Sequence, residues 1–308
     1  MGKIKVYLKK HSKEMLVIPL VIFLIALRID SLSMPFYWDD IAMGIAIKGF
    51  QDKPFQVISE DANLVHSTLL PTILGTISTI TGYNLKAFHM IILIFGAVGL
   101  YYMFLLSELI FQKKLIALVS VVILASIPAF FAFLGRIYYD IPLTTLSIMS
   151  FYYLFKGRYL RFTVLSTVGI LTKEIFVLIL PAAFAWMIFK EKKKLYYLIL
   201  PLLVFVLWAF AALLLYPKNV ESVISSFFPP ITSSTFSEWL TFIRVSLFWN
   251  GLFMLTVPVT IIYTLHMLAS KKTDKEDYVL YFYIATYFVF LFFSGRFSGI
   301  CFLFTLQS

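Results

Sequence analysis

The sequence predicts an all-α, polytopic transmembrane helical bundle of about nine spans or half-spans, with an external first loop that carries interfacial helices. Three observations lead there. The 308 residues are 61% hydrophobic and only 14% charged, against roughly half apolar and a quarter charged in a soluble domain. Apolar runs of roughly 18 to 25 residues recur along the chain. The formal net charge is +10, with its Lys and Arg gathered in the short segments between those runs, the distribution of cytoplasmic loops rather than of a nucleic-acid surface. No nucleic-acid partner is expected. Cys301 is the sole cysteine, which excludes an internal disulfide and any multi-cysteine metal site.

Lys3, Lys5, Lys9, Lys10 and Lys13 set the start of the first span in the cytoplasm. That span runs from about Glu14 to Met34. Its apolar run lacks a small-residue cleavage site and reads as a retained anchor. Residues 35–86 form the first external loop. Within it, a short helix from Ile41 to Lys48 follows Asp39, a residue type suited to an N-cap. A second helix, from His66 to Ile80, carries an apolar stripe of Leu69, Leu70, Ile73, Leu74, Ile77 and Ile80. The second span, about Ala87 to Ser107, returns to Lys113 and Lys114. The third, Leu115 to Leu134, leads out to Arg136–Asp140, and the fourth, Ile141 to Phe155, returns to Lys156, Arg158 and Arg161.

Phe162 to Phe189 holds Lys173 and Glu174 at its centre. A single helix would bury both charges and put Lys190, Lys192, Lys193 and Lys194 outside. Two half-helices broken near Lys173 keep those lysines inside. A span from Leu195 to Tyr216, an external loop at 217–241, an eighth span ending at Lys271, Lys272 and Lys275, and a ninth from Tyr278 to Phe293 complete the chain. It reads as a single membrane domain, 1–308, in the cell membrane, with a cytoplasmic N-terminus.

This topology gathers polar groups at the outer face: Asp39, Asp40, Glu60, Asp61, His66, Arg136, Tyr138, Tyr139, Asp140, Lys173 and Arg296. Charge at a membrane edge is costly and marks function. Carboxylates beside cations suit transfer of a group from an anionic donor: one acid takes the acceptor proton while the cations hold the departing phosphate. Bland roles stand beside these. Asp39 suits a helix cap, Arg136 and Asp140 an i,i+4 ion pair, Lys173 and Glu174 a local pair, and Arg296 a snorkelling position. No cofactor is required. A divalent metal is compatible with His66, Glu60, Asp61 and Asp140, although no spacing demands one.

The motifs in order resemble the GT-C superfamily of polyprenyl-phosphate-dependent glycosyltransferases, in its protein O-mannosyltransferase and lipid A aminoarabinose transferase branch. Trp38-Asp39-Asp40 is similar to the acidic pair that opens that family's first external loop. Arg136-Ile137-Tyr138-Tyr139-Asp140-Ile141-Pro142-Leu143 is similar to its Arg-x-x-x-Asp-x-Pro-Leu pattern. Thr172-Lys173-Glu174 with Pro181 is similar to its Thr-Lys-Glu element. His66-Ser67-Thr68-Leu69-Leu70-Pro71 keeps only the histidine and apolar end of the family's His-Pro-Pro-Leu, and Arg296-Phe297 matches its late Arg-Tyr loosely. The likeness covers residues 16–190 in order. The chain is short for the family, as a minimal member, a C-terminally truncated one or an inactive relative would be. The resemblance implies an inverting transfer from a polyprenyl-phosphate-linked sugar to a hydroxyl on a protein, lipid or glycan acceptor. Asp39 would be the base, with Asp40 in support. His66, Arg136, Lys173 and Arg296 would bind phosphate, and Tyr139 and Asp140 would line the site. A transporter using Lys173 and Glu174 in a broken helix, and a non-catalytic assembly protein, are the alternatives.

Overall fold

The computed structural model describes residues 12–36, 39–52 and 69–215. Every regular element among them is helical. The expected eighth and ninth spans, the loop at 217–241, and Glu60, Asp61, His66 and Arg296 lie outside the described residues. The chain divides into two compact units, Met1–Val177 with Leu203–Phe205, and Leu178–Leu202 with Val206–Ser308.

In the first unit, helix α1 (Ser12–Ala26) leads through a 3-10 turn, Ile29–Ser33, to α2 (Asp39–Asp52). Then come α3 (Leu69–Thr81), α4 (Leu85–Phe111), α5 (Lys114–Ser126), α6 (Pro128–Phe133), α7 (Asp140–Phe155) and α8 (Tyr159–Thr172). A 3-10 segment, Glu174–Leu178, follows. The second unit holds α9 (Ile179–Lys190), a 3-10 segment Lys192–Leu198 and α10 (Ile199–Leu215).

Helix α4 is the axis of the first unit, packing against α1, α5 and α7. Local chemistry sets its ends. The Asn84 side chain accepts from the amides of Lys86 (3.0 Å) and Ala87 (3.4 Å), capping two of the orphan donors. At the far end Gln112 takes a left-handed conformation, φ 54°, and its amide donates to the Glu108 carbonyl at 2.9 Å. Small residues let α7 approach closely. A Cβ at Gly99 would lie 2.5 Å from the Thr145 hydroxyl oxygen, and one at Gly96 would strike Leu134. Thr145 Oγ1 donates to the Phe95 carbonyl at 2.8 Å, so a buried hydroxyl is satisfied across the same junction. Val17, Val21, Leu93, Leu100, Phe104 and Val121 fill the core around it.

Two of the described helices are long and apolar enough to cross a membrane, Leu85–Phe111 and Lys192–Ala212. The first agrees with the expected second span, and α7 begins within a residue of the expected fourth. The second long helix overlaps the expected span from Leu195 to Tyr216. Among the described residues, the remaining expected spans are shorter or divided. The third breaks where Pro128 starts a new helix, since proline cannot donate to the preceding turn. The first ends as α-helix at Ala26. The segment 162–189 is interrupted at Lys173, whose backbone is extended (φ −157°, ψ 131°). It forms two helices joined by a 3-10 segment, so a single unbroken helix across 162–189 is not formed.

Burial along α3 divides its apolar stripe. Leu70, Pro71, Leu74, Gly75 and Ser78 are buried, while Ile73 and Ile80 are exposed. Gly75 lets the Phe50 ring of α2 sit against the backbone. Small polar residues inside and large apolar ones outside are found in other helices as well. Ser150, Ser166 and Thr163 are buried, whereas Phe23, Leu115, Leu207 and Phe210 are exposed.

The Gly99–Thr145 contact yields a test. Gly99→Leu should cost about 2 kcal/mol or more, because neither backbone can yield without losing packing. Leu115→Ala, at an exposed position, should stay within about 0.5 kcal/mol. Denaturation midpoints of the detergent-solubilised variants check both, and an unchanged midpoint for Gly99→Leu would refute the close α4–α7 contact.

Candidate functional site

The stretch before the acidic pair is pinned by contacts the sequence does not display. The Met34 carbonyl accepts from His89 Nε2 at 2.9 Å. The Phe36 ring occupies the space that a side chain at position 44 would need, 2.9 Å from an added Cβ at Gly44. Tyr83 meets both Phe36 and Phe88, with ring centroids 6.2 and 5.6 Å apart, and its hydroxyl donates to the Gly44 carbonyl at 3.4 Å. These contacts deliver the chain to α2, which begins at Asp39 itself and runs to Asp52, beyond the expected Ile41–Lys48. Both acids therefore lie in its first turn, where the helix dipole favours negative charge. The side chain of Asp39 lies outside the described residues.

Asp40 is buried, 3% exposed, and its Oδ2 accepts from Arg136 Nε at 3.2 Å. Arg136 comes from the turn between α6 and α7, 96 residues later, and its guanidinium also lies 5.7 Å from the Phe133 ring centroid. The structure gives Arg136 a long-range partner that no spacing could name. Asp140 opens α7, where its charge meets the positive end of that helix.

The turn continues into Ile137, Tyr138 and Tyr139. Ile137 and Tyr139 are buried against Met43, Ile47, Leu70, Leu74 and Phe88, which form the apolar floor beneath the ion pair. Lys173, at the break after α8, is 7% exposed. Its ammonium lies 5.3 Å from the Tyr138 ring centroid and 5.4 Å from that of Tyr139. Two faces of π density thus offset part of the cost of withdrawing an ammonium from water. The Tyr139 phenol is pushed well above the ordinary tyrosine value by burial first, then by Tyr138 and Glu174.

Asp40, Arg136, Tyr139 and Lys173, named from sequence on separate segments, are therefore brought into two adjoining contacts through the 136–139 turn. His66 and Arg296 lie outside the described residues, as do three of the four residues considered for a metal. Among the described residues, no three His, Cys, Asp or Glu side chains are grouped so as to hold a metal ion.

Sequence reasoning missed His89 and Arg28. His89 is fully buried in α4. With Nε2 donating to Met34, Nδ1 has no hydrogen-bond partner among the described residues, and Asp40 is within electrostatic reach. Arg28 lies 4.8 Å from the Phe131 ring centroid and against Gly135, the neighbour of Arg136. The available signal was the same for both, an ionisable residue inside or at the end of an apolar run.

Comparison with known protein families, characterised proteins and solved structures finds no match for this chain. The described residues define an all-helical fold with two apolar helices of membrane-spanning length and a buried aspartate at the start of α2 paired to an arginine.

Two predictions follow from these contacts. Asp40→Ala should destabilise the fold by about 2 kcal/mol, less than the loss for a fully buried pair because Arg136 keeps a side-chain exposure of 28%. Arg136→Ala in that background should then cost little, and a double-mutant cycle showing no coupling would remove the pair from the account. The second concerns alkali. A raised folded-state pKa means that the unfolded chain loses the Tyr139 proton first. The contribution is intact below about pH 10 and falls as pH rises beyond it. Tyr139→Phe should therefore flatten the alkaline decline of Tm, while an identical decline in both proteins would contradict that sign.

Proposed function

We propose that this chain is a multi-pass membrane protein with a cytoplasmic N-terminus. We propose further that it is an inverting glycosyltransferase acting at the external face of the cell membrane, with a polyprenyl-phosphate-linked sugar as donor and a hydroxyl of a protein, lipid or glycan as acceptor. The outward faces of large apolar side chains, with serine and threonine inside, favour a lipid surround over water. The observation that carries the catalytic reading is the convergence on the 136–139 turn of a carboxylate from α2 and an ammonium from the α8 break.

In this mechanism the acceptor oxygen bonds to the anomeric carbon as the bond from that carbon to the phosphate oxygen breaks. The acceptor proton passes to a carboxylate, and the polyprenyl phosphate leaves with the electron pair. Asp40 is committed to Arg136, so its role is to hold that guanidinium in place. The general base is assigned to Asp39. Arg136 and Lys173 neutralise the departing phosphate, the arginine with the better geometry for two oxygens. Asp140 orients the sugar hydroxyls or the turn that bears Arg136, and Tyr139 is the buried wall. His66 and Arg296 remain proposed phosphate contacts. No metal is required by this chemistry, and a divalent ion at the phosphate is compatible with it.

The test is in vitro transfer from a panel of polyprenyl-phosphate sugars, with products identified by mass. Asp39→Asn should lower turnover by at least about 100-fold, the scale of a lost general base, while membrane insertion and Tm stay near wild type. Wild-type turnover in that variant would sink the base assignment. The extended break at Lys173 favours one second reading, a transporter with its substrate at an interrupted helix. Substrate flux in proteoliposomes without any product, abolished by Lys173→Met, would move the assignment there.

A further inference from the structure

Arg28 follows the end of α1 and stands outside the Asp40–Arg136 pair. Its guanidinium lies 4.8 Å from the Phe131 ring centroid, and its Nη2 donates to the Ala132 carbonyl at 3.5 Å. We propose that Arg28 is a phosphate-binding residue, and that it holds the second negative charge that appears on the polyprenyl phosphate as the sugar leaves it. This role rests on the glycosyl-transfer reading above.

An arginine kept for architecture alone has its N–H groups answered by carbonyls or a carboxylate. A guanidinium carries five such donors, and this one makes a single bond, longer than the usual hydrogen-bond range. Its Nε is buried with no hydrogen-bond partner among the described residues. Among those residues no carboxylate lies within ion-pair distance of it, and Asp30, two positions on, is exposed. The chain nevertheless makes room for this cation. The Ser31 hydroxyl donates to the Arg28 carbonyl at 2.6 Å, which fixes the turn. A Cβ at Gly135 would strike Arg28 Nη2 and lie 3.0 Å from Ser31 Cβ. Glycine there lets the guanidinium lie against the backbone immediately before Arg136. Arg28 is only half-buried, which keeps it within reach of a ligand.

The charge on the phosphate changes during transfer. In the donor it is a diester with one negative charge. As the acceptor oxygen bonds to the anomeric carbon, the bond from that carbon to the phosphate oxygen breaks, and its electron pair stays on that oxygen. The acceptor proton goes to Asp39. The product is a monoester whose second proton has a pKa of about 6, so it is a dianion at neutral pH. Arg136 and Asp40 together bring no net charge, and Lys173 is followed in the chain by Glu174. Arg28 brings a positive charge that no acid among the described residues pairs with. A cation that meets charge only as it develops lowers the barrier more than it tightens the ground state.

The full chain in detergent is titrated calorimetrically at neutral pH with farnesyl phosphate, its methyl diester and inorganic phosphate, and transfer is assayed beside it. The wild type should bind the monoester about tenfold more tightly than the diester, the scale of one charge-assisted contact. Arg28→Gln should remove that preference and lower kcat about tenfold with little change in donor KM. Arg28→Lys, which keeps the charge, should retain most of the preference. An unchanged preference in Arg28→Gln overturns the role of Arg28 and leaves the transfer reading standing. Equal loss in the Gln and Lys variants assigns Arg28 to packing on Phe131 and overturns it too. If Arg28→Gln does not fold, Gly135→Ala, which displaces the flexible end of the arginine and alters no charge, should weaken the preference instead, and no change there overturns the proposal. Inorganic phosphate bound as tightly as farnesyl phosphate would overturn a lipid as the source of the phosphate. A wild type that binds neither ester and transfers no sugar would overturn the transfer reading, and the role of Arg28 would fall with it.

Discussion

A carboxylate that is 3% exposed cannot stand alone in an apolar surround, and the organisation of one end of the first unit follows from how Asp40 is answered. At 3.2 Å the attraction to Arg136 is about 5 kcal/mol with an effective dielectric constant of 20. Desolvating the two ions costs several kcal/mol each. The pair is therefore weak as net stabilisation and strong as a specification, since either partner without the other is expensive. It dictates that α2 and the turn before α7 meet in one register. Everything beneath the pair is arranged to hold that register: the Met43–Leu74–Tyr139 floor, Gly44 under Phe36, and His89 on the Met34 carbonyl.

How much of this was legible in the sequence depended on the range over which each signal acts. The start of α4 and both ends of α7 were readable to within two residues from where the apolar runs begin and end, whereas α4 continues to Phe111, four residues past the expected Ser107. The break at Lys173 was readable because lysine at the centre of a span conflicts with four lysines at its end. The inward face of α3 was not. Periodicity gathered Leu70, Ile73, Leu74 and Ile80 on one apolar stripe of an interfacial helix without saying which edge of the stripe packs inward. Close approach to α2 decides it, which favours Pro71, Gly75 and Ser78. The Asp40–Arg136 pair was legible only in its members. Their contact is set by tertiary packing across 96 positions, beyond the reach of any local spacing. His89 carried no motif at all; only its place in an apolar helix marked it.

The α4–α7 junction explains why a site assembled from such distant segments can keep its geometry. A contact built on Gly96, Gly99 and the Thr145–Phe95 hydrogen bond brings backbones together with few rotamers left to vary. Side chains at both ends of the two helices inherit that rigidity. Near the start of α4 it positions His89, and just ahead of α7 it positions Arg136 and the two tyrosines. Preorganisation of this kind matters most for charges withdrawn from water, because a displaced cation loses its attraction while its desolvation cost persists. Lys173 is the test case. Its ammonium faces two phenol rings that belong to the turn before α7, so a shift of α7 against α4 would carry both rings away together. The small residues in the middle of two helices and the buried charges near their ends therefore form one mechanical system, and the packing of glycine against threonine is as much a determinant of the electrostatics as the charged residues themselves.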